Sequence, residues 1–523
     1  MGKECTVQFD PVTDIYMEAQ MKSERKIGAL LSYIATVINI ISAFFLTPFL
    51  LRYIGDAEYG VYRTVQSLTG QLALITVGLG TIMTVLIARY NAQDGEKTRE
   101  EKENLIATGV LIGVVIALLV LVVGGVLFLG IDSIYGNTMT PSQVSLTKQL
   151  YIILVINVAL TLFRDVFVGI THGYERFIYV NGMKVLRLTL RIVVIIALLL
   201  LGFKSLALVL CDLTLTIIML FCDIWFCFGR LGVRAKFHGF DRVLFQSILS
   251  FSLAIILQTF VNQVNQNLDG AILGAMVPAE LVTVYSLALT IYVSYNSVSS
   301  AFSSMFTPEA ARLVQNGASF DDLHRFTVRV GRYLLLAEGL LLGGFVCVGQ
   351  NFVRLWVGAG KEDVYGIALI LLLPMTVANT LAGANSVLDG YMKRMGRSLI
   401  LVFTAVVNIV VSVFLITQIG YWGAAVGTAV SVILGQIVLL SWHYHRVFQF
   451  SMIRYLIDLF RGIVPSIVVA VLLTIGVNFA PIGGVGQLLL KGVIYVLAYF
   501  GCLWIFGATT GEKNMVLRFL RQK

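Results

Sequence analysis

The chain has 523 residues, of which 58% are apolar and only 13% are charged, with a formal net charge of +9 at pH 7. So few charges over so long a chain exclude an ordinary soluble protein and indicate an integral membrane protein. The basic residues are scattered over short loops, which excludes nucleic acid as the expected partner. The six cysteines form no CxxC pair and the five histidines do not cluster, so neither disulfides, metal nor another cofactor is predicted.

A helix that crosses a bilayer needs roughly 20 mainly apolar residues, and the sequence contains about 14 such runs. The turns at 202–204 and at Gly420 are so short that the runs on either side of each must form a tight hairpin. The predicted fold class is therefore an all-α integral membrane protein with about 14 transmembrane helices. In chain order the runs are 27–51, 64–88, 105–131, 150–171, 184–203, 205–228, 243–268, 281–307, 331–352, 364–388, 398–418, 421–442, 458–478 and 487–508.

Two stretches of the chain share a pattern. In FFLTPFLLRYIGDAEYGVYRTVQSL, residues 44–68, a short loop with Arg52, Asp56 and Glu58 is predicted between two apolar helices. A weaker copy, LDGAILGAMVPAELVTVYSLALTIY, occupies residues 268–292. Further landmarks recur at the same spacing of about 220 residues, as internal symmetry does in transporters. We therefore predict two six-helix bundles related by a parallel repeat, followed by two extra helices.

The repeat and the distribution of charge predict the domains and their orientation. Lys and Arg concentrate in the amino terminus and in alternate loops, and the positive-inside rule assigns that side to the cytoplasm. Both termini are then cytoplasmic. No loop is long enough for a catalytic domain, so an enzyme is not expected. The predicted segments are a cytoplasmic amino terminus (1–26), a first six-helix bundle (27–228), a cytoplasmic linker (229–242), a second six-helix bundle (243–445), and two carboxyl-terminal helices with a cytoplasmic tail (446–523).

The pattern LTPFLLRYIGDAEYGVY, followed in the second copy by NQNLDGAILG, resembles the Wzx-type lipid-linked oligosaccharide flippases of bacteria. These belong to the multidrug/oligosaccharidyl-lipid/polysaccharide exporter superfamily, and the resemblance extends from about Ser32 to about His445. Val282 and Thr283 stand where the pattern has a glycine before Tyr285, so the second loop is expected to differ in shape. The resemblance implies a multi-pass protein of the bacterial inner membrane.

The resemblance also implies an activity and partners. The expected activity is translocation of an undecaprenyl-pyrophosphate-linked oligosaccharide to the outer leaflet by alternating access, for O-antigen, capsule or exopolysaccharide synthesis. The expected partners are the lipid-linked oligosaccharide, membrane lipids, H+ or Na+ as coupling ion, and a polysaccharide polymerase. A peptidoglycan-precursor flippase and a cation-coupled drug exporter of the same superfamily are the alternatives, and a scaffold role in polysaccharide assembly is more distant. A drug exporter would have twelve helices and a less basic cavity.

Four basic residues in the fourth and fifth predicted helices are candidates for binding the substrate. Lys184, Arg187 and Arg191 are spaced i, i+3, i+7 and share one helix face, and Arg164 lies at a similar depth on the preceding helix. Arginine binds phosphate groups bidentately, so this set suits a lipid pyrophosphate. Alternatively, Lys184 and Arg187 extend to lipid headgroups, or Asp165 pairs with Arg187 or Arg191 and the set is structural.

The seventh predicted helix carries many amide side chains. Gln258, Asn262 and Gln266 share a face, and amides of this kind bind sugar hydroxyls or, alternatively, link helices to one another. Asp269 follows at the outer end of this helix, at the aspartate of the family pattern. It is predicted to bind a cation or to take part in outward gating, with capping of the next turn as the alternative.

Coupling to an ion gradient requires a carboxylate inside the membrane. Asp165, Asp269 and Glu338 are the candidates for coupling or gating. Asp212 and Asp223 are further acids within predicted spans, and Asp223 lies near a cytoplasmic end where solvation is expected. The sequence does not choose among these acids.

Overall fold

The computed structural model describes residues 11–75, 78–91, 96–239, 268–391, 394–476, 484–509 and 512–513. In this part of the chain the secondary structure is helical, and no strand occurs. The described residues fall into two compact units. The amino-terminal unit comprises those within Met1–Gly55, Leu68–Gly136 and Thr140–Thr259, and the carboxyl-terminal unit those within Asp56–Ser67, Asn137–Met139 and Phe260–Lys523.

The amino-terminal unit is organised around α6. This helix packs against α3, α4 and α8, while α7 packs against α1 and α8. The helices that carry the predicted basic residues, α6 and α7, are therefore both neighbours of α8. The helices are α1 (Pro11–Ile54), α2 (Asp56–Gly70, mostly in the other unit), α3 (Leu79–Asn91), α4 (Glu96–Leu129), α5 (Ile131–Tyr135), α6 (Pro141–Gly173), α7 (Phe177–Leu200) and α8 (Ser205–Trp225), with a 3-10 turn at Gln71–Ile75 and a π-helical turn at Phe226–Arg230.

Helices α3 and α6 meet at glycines. A Cβ atom on Gly169 of α6 would lie 2.2 Å from the carbonyl oxygen of Gly80 on α3. Thr84 of α3 donates a hydrogen bond to the carbonyl oxygen of Gly169 at 3.2 Å. Small residues let helix backbones approach closely where lipid supplies no hydrophobic force between helices. This contact positions α6, and with it Arg164, relative to α3.

The carboxyl-terminal unit is organised around the long helix α12, which packs against α10, α13, α18, α19 and α20. Its helices are α9 (Asp269–Met276), α10 (Ala279–Ser304), α11 (Thr307–Gln315), α12 (Phe320–Val357), α13 (Asp363–Thr380), α14 (Ala382–Gly390), α15 (Arg394–Ile419), α16 (Trp422–Ser431), α17 (Leu440–Phe448), α18 (Met452–Phe460), α19 (Ile463–Gly476) and α20 (Gly484–Cys502), with π-helical stretches at Val432–Leu439 and Leu503–Gly507.

Tyrosines and glycines join α20 to α12. Tyr495 and Tyr499 are each 1% exposed, and their hydroxyls donate to the carbonyl oxygens of Gly339 and Leu336 at 2.8 and 2.7 Å. A Cβ atom on Gly343 would lie 2.1 Å from the Tyr495 hydroxyl, so only glycine leaves room for this ring. Buried tyrosines need a hydrogen-bond partner, and here α12 supplies it from its backbone.

Eleven helical segments of the described chain are long and apolar enough to cross a membrane, or twelve if the bent pair α18 and α19 is one span. The all-α membrane fold is therefore confirmed. The predicted run 243–268 lies almost entirely outside the described residues. Helix α7 forms, but it is not among the eleven apolar segments because it carries Lys184, Arg187 and Arg191. The total of about 14 spans stays a prediction.

The loop predicted around Arg52 is wrong. Helix α1 continues to Ile54 and α2 begins at Asp56, so Gly55 alone separates them, with a φ of 79° that glycine adopts without strain. Asp56 and Glu58 lie in the first turn of α2, where negative charge is favourable at the positive end of the helix. The acidic residues therefore start a helix instead of extending a loop.

The two tight hairpins are confirmed. Gly202 lies between α7 and α8 with a φ of 84°, and Gly420 lies between α15 and α16 with a φ of 64°. The single helix predicted over 458–478 is wrong, because α18 and α19 meet at an angle of 46°. Gly462 forms this bend with a φ of 80°, and a Cβ atom there would lie 2.5 Å from the carbonyl oxygen of Phe506.

Candidate functional site

Arginines and aspartates from α6, α7 and α8 come together in the amino-terminal unit. Arg191 binds Asp212 bidentately, with a Nε–Oδ1 distance of 2.5 Å and a Nη2–Oδ2 distance of 3.0 Å. The Nε of Arg164 donates to Oδ2 of Asp223 at 2.6 Å. Charge-assisted bonds of this length are among the strong hydrogen bonds of proteins. We call this group the arginine–aspartate network; its members are Arg164, Arg187, Arg191, Asp212 and Asp223.

One face of α8 supplies the acceptors of this network. Asp212, Thr216 and Asp223 are spaced i, i+4, i+11 and therefore point to the same side of the helix. The Thr216 hydroxyl accepts a hydrogen bond from Nη2 of Arg187 at 3.0 Å. Asp223 accepts a second bond, at 3.1 Å, from the hydroxyl of Tyr179 on α7. Both α6 and α7 are thus tied to α8 by polar contacts.

The network is partly closed to solvent, and its charges nearly balance. The side chains of Arg164 and Asp223 are 12% and 3% exposed, so this pair is buried. Counting Lys184 and Asp165 together with the network, four cations accompany three anions, which leaves one formal positive charge. Among the described residues, no carboxylate lies within 4 Å of the Arg187 guanidinium, and Lys184 is exposed on the same helix. That these two residues bind an anionic ligand stays a prediction.

One expectation about the acids is wrong, that of a solvated Asp223. Arg191 binds Asp212 across the α7–α8 hairpin, and the pairing of Asp165 with an arginine of α7 stays a prediction. Asp165 lies on α6, where its backbone carbonyl contacts Gly80 of α3. Asp223 is not solvated, since it is 2% exposed and bonded to two helices. The helix of α8 continues as a π-helical turn beyond Asp223, which leaves this carboxylate inside the unit instead of at a helix end.

The sequence interpretation named Asp212 as an acid within a span but missed its pairing with Arg191, and it missed Thr216 altogether. A signal for Asp212 was present, because Arg191 lies eleven residues before Gly202 and Asp212 lies ten residues after it. In a tight antiparallel hairpin, positions equally far from the turn lie at the same depth. Thr216 follows Asp212 by one helical turn and thus lies opposite Arg187. Asp223, whose pairing was also missed, lies too far from the turn for this rule to assign its partner.

Glu338 occupies the centre of a second polar cluster, in the carboxyl-terminal unit. It is 0% exposed on α12, and its Oε1 accepts a hydrogen bond from Nδ2 of Asn379 on α13 at 2.9 Å. The same Nδ2 donates to Oδ1 of Asn296 on α10 at 3.0 Å. Tyr295 and Thr376 pair through their hydroxyls at 2.6 Å beside it. No hydrogen-bond partner of Oε2 of Glu338 lies in the described part of the chain.

Asp269 forms a third cluster, also in the carboxyl-terminal unit. It lies in the first turn of α9 and is 3% exposed. Its Oδ2 accepts hydrogen bonds from the hydroxyls of Tyr285 on α10, at 2.6 Å, and Thr428 on α16, at 2.8 Å. Thr428 also contacts Oδ1 of Asn408 on α15 at 3.3 Å. The partners of Oδ2 thus come from other helices, and the cation, gating and capping alternatives for Asp269 stay predictions.

The remaining candidate residues lie outside the part of the chain that can be examined. Gln258, Asn262 and Gln266 all belong to the segment 240–267, which is not among the described residues. Across the residues that are described, no group of three His, Cys, Asp or Glu side chains is arranged to hold a metal ion. Five cysteines of the described chain are free thiols; they are Cys211, Cys222, Cys227, Cys347 and Cys502.

Comparison with known families assigns the chain. Residues 27–309 match a protein family described as "Polysaccharide biosynthesis protein", which is more than half of the sequence. The chain belongs to this family. The three polar clusters described above are therefore those of a member of this family. The resemblance that the sequence pattern indicated is confirmed at the level of this family. The sequence matches no curated protein.

The fold of the chain is similar to those of solved membrane proteins. It is similar to the lipid II flippase MurJ in an inward closed conformation, with a TM-score of 0.71, 13% identity, and coverage of 91% of this chain and 98% of that chain. An inward-facing multidrug resistance transporter of the MATE family, in the MOP superfamily, matches with a TM-score of 0.62, 14% identity, and coverage of 80% and 97%. The shared fold is thus that of membrane flippases and exporters.

Proposed function

We propose that this protein moves an undecaprenyl-pyrophosphate-linked oligosaccharide from the cytoplasmic to the outer leaflet of the bacterial inner membrane. Membership of the polysaccharide biosynthesis family over residues 27–309 is the observation that carries the proposal. The fold shared with a lipid flippase is consistent with it. The translocated oligosaccharide would be used for O-antigen, capsule or another exopolysaccharide. A polysaccharide polymerase would act on it next.

In this proposal the amino-terminal unit holds the pyrophosphate. Arg187 and Lys184 make the direct contacts because neither is within ion-pair distance of a described carboxylate. Arg164 and Arg191 add positive potential while their aspartates keep them in position. The planar fork of an arginine fits two phosphate oxygens at once, which a lysine cannot reproduce. Gln258, Asn262 and Gln266 are proposed to bind the sugars.

Alternating access between the two predicted six-helix bundles, 27–228 and 243–445, is the proposed mechanism. Asp165, Asp269 and Glu338 are the carboxylates proposed for coupling to H+ or Na+, or for gating, because ionisable groups inside a membrane protein mark ion pathways. No covalent chemistry is needed. Both termini are proposed to lie in the cytoplasm, and the helices of 446–523 to accompany the second bundle.

A peptidoglycan-precursor flippase is the second candidate. The similarity to MurJ extends over 91% of this chain, whereas the similarity to the MATE transporter extends over 80%. That difference favours a lipid-linked substrate over a small drug. A precursor flippase and an oligosaccharide flippase would both bind a lipid pyrophosphate, so they differ in the sugar that is carried.

Rescue of surface polysaccharide in a flippase-deficient strain tests the proposal. We expect wild-type protein to restore the polysaccharide, and Arg187→Ala and Arg187→Lys to fail at normal abundance. Arg325→Ala is the matched control, because the Arg325 side chain is 76% exposed and, among the described residues, its ion-pair partner is Asp322 of the same helix turn. Failure of the wild type in all sugar backgrounds, with rescue of a precursor-flippase mutant, would instead support the second candidate.

A further inference from the structure

Glu338 differs from Asp212 and Asp223 of the amino-terminal unit, because among the described residues no cation lies beside it. Asp212 and Asp223 are each paired with an arginine at 2.5 and 2.6 Å. Among the described residues, no Lys or Arg nitrogen lies within 4 Å of the Glu338 carboxylate, and its Oε2 has no hydrogen-bond partner. The side chain is nevertheless fully buried. Its charge therefore has to be neutralised in another way.

The helices around Glu338 bring neutral groups to it. Helix α10 contributes Tyr295, Asn296 and Ser299, and α13 contributes Thr376 and Asn379. The titratable groups on α18 and α20 that face this region are tyrosines, whose hydroxyls bond to backbone carbonyls; they are Tyr455, Tyr495 and Tyr499.

The cations of these helices are held elsewhere. Arg332 lies six residues before Glu338 on α12, a distance of roughly 9 Å along the helix, and is bound to Glu512. Lys491 of α20 is near Cys347, which lies nine residues beyond Glu338 on α12. Helix α19 contributes no ionisable side chain. An ionised Glu338 would thus be an unpaired buried charge, which costs several kcal/mol even after relaxation.

A bound proton removes this cost more readily than a metal ion would. A sodium or other hard cation needs several oxygen ligands directed at one point. Here the amide nitrogen of Asn379 donates to both Oε1 of Glu338 and Oδ1 of Asn296, so a hydrogen-bond donor occupies the place where a cation would have to bridge these two oxygens. A proton needs only the one unpartnered oxygen, Oε2.

We propose that Glu338 is a proton-binding site of the carboxyl-terminal unit, with Oε2 as the protonated atom and Asn379 as the residue that positions the carboxyl group. Because Glu338 is 0% exposed, its proton exchanges with water only when the packing of α10, α12 and α13 opens. A conformational change is then required for each binding and release. The proton comes from water and returns to water, and the link to transport rests on the proposed flippase function.

Infrared difference spectroscopy of the purified protein in lipid nanodiscs tests proton binding without any substrate. At pH 7, we expect the wild-type spectrum to contain a C=O stretching band of a protonated carboxyl group that shifts in D2O and disappears in Glu338→Gln. Glu309→Gln is the matched control, because Glu309 is partly exposed and is paired with Arg329 at 2.5 Å. This variant should lose a band of an ionised carboxylate and keep the band of the protonated carboxyl group.

A second variant leaves Glu338 in place. Asn379→Ala removes the donor to Oε1, and a C=O group that loses a hydrogen bond vibrates at higher frequency, so the Glu338 band should move upward without being lost. The proposal is overturned if Glu338→Gln removes a carboxylate band at pH 7, or if the wild-type band depends on Na+. An unchanged band in Asn379→Ala would also contradict it.

The cellular rescue assay separates this inference from the proposed function. If Glu338 carries the coupling proton, Glu338→Gln should fail to restore surface polysaccharide at normal abundance, while Glu309→Gln restores it. Rescue by Glu338→Gln at the wild-type level would overturn the link to transport. If the wild type itself rescues no strain, the proposed function fails, whereas the infrared result still decides whether Glu338 binds a proton.

Discussion

At the scale of single residues, the partners of each arginine decide what that arginine can do. Arg191 and Arg164 are held by aspartates, so part of their charge is already neutralised. Arg187 bonds to a hydroxyl, and among the described residues no carboxylate lies within 4 Å of its guanidinium group. Arginines that look alike in the sequence are therefore expected to differ, with Arg191 needed mainly for stability and Arg187 mainly for the ligand.

Thermal unfolding in detergent should separate these two roles. Arg191→Ala leaves the Asp212 carboxylate without its partner; breaking a fully buried ion pair costs about 3–5 kcal/mol, and the cost here is lower because the Arg191 side chain is 26% exposed. Arg187→Ala loses one hydrogen bond to Thr216, worth about 0.5–1.5 kcal/mol. We expect Arg191→Ala to lower Tm clearly more than Arg187→Ala, and the double variant Arg191→Met with Asp212→Leu to recover stability. Equal Tm values for the two single variants would contradict this assignment.

At the scale of helices, close backbone contact and a few polar bonds determine which elements pack together. The α3–α6 contact depends on Gly80 and Gly169, and the attachment of α20 to α12 depends on buried tyrosines. Arg332 of α12 adds a further connection, because its guanidinium binds the carbonyl oxygens of Arg461 and Gly507 at 3.1 and 2.8 Å. The bend between α18 and α19 and the end of α20 are thus bound to the same residue.

Gly169→Ala should destabilise the amino-terminal unit. The added Cβ atom would lie 2.2 Å from the Gly80 carbonyl oxygen, and backbone at that distance must move, which typically costs about 1–3 kcal/mol. Gly125→Ala is the matched control, because no atom lies within 4 Å of its Cβ position in α4. Alanine favours a helix over glycine by about 1 kcal/mol, so this control should be neutral or stabilising in a thermal-shift measurement. If Gly125→Ala lost as much stability as Gly169→Ala, the close contact between α3 and α6 would not explain the loss.

The ion pair between Arg332 and Glu512 should make the thermal stability of the protein depend on pH. Burial tends to raise the pKa of Glu512, but hydrogen bonds from Arg332 and Thr509 and the positive charge of Arg332 outweigh it, so the pKa is lowered. A lowered folded-state pKa contributes stability above the unfolded value of 4.5, and that stability is lost as the pH falls through the folded value. We expect the difference in Tm between wild type and Glu512→Gln to be constant near neutral pH and to shrink below about pH 4.5. A difference that is unchanged in acid would exclude this ion pair as its source.

At the scale of the whole molecule, charge distribution and span number together predict the topology. Lys and Arg are concentrated in alternate loops, which favours cytoplasmic termini. The described chain supplies eleven apolar spans, or twelve with the bent pair. Helix α7 and the segment 243–268 are the two further spans that the sequence predicts, and an even total is required if both termini lie on one side.

Reporter fusions test this topology. A fluorescent protein fused after Lys523 should fluoresce, and alkaline phosphatase fused there should be inactive, because the tail is predicted to be cytoplasmic. Phosphatase fused at Asn137, between α5 and α6, should be active because that loop is predicted to face outward. An active phosphatase at the carboxyl terminus would place the tail outside and would reject the predicted arrangement.

Local properties of the sequence were enough to predict the class of fold and much of its connectivity. Long apolar runs predict spanning helices because each must satisfy its own backbone in lipid, and glycines predict the hairpins at Gly202 and Gly420 because they accept positive φ. The resemblance in the first-half pattern likewise led to the correct family. The prediction of a loop at Arg52 was wrong because a single glycine is enough to end one helix and begin the next.

Only the tertiary structure determines which distant side chains pair with one another. Arg164 binds Asp223, fifty-nine residues away, and Glu338 meets Asn379 of another helix. Helical periodicity assigns a residue to a face, but it does not state which neighbouring helix covers that face or at what height. Because the energy of a buried charge depends on the group that it meets there, the roles of these arginines and acids follow from packing and not from the order of residues.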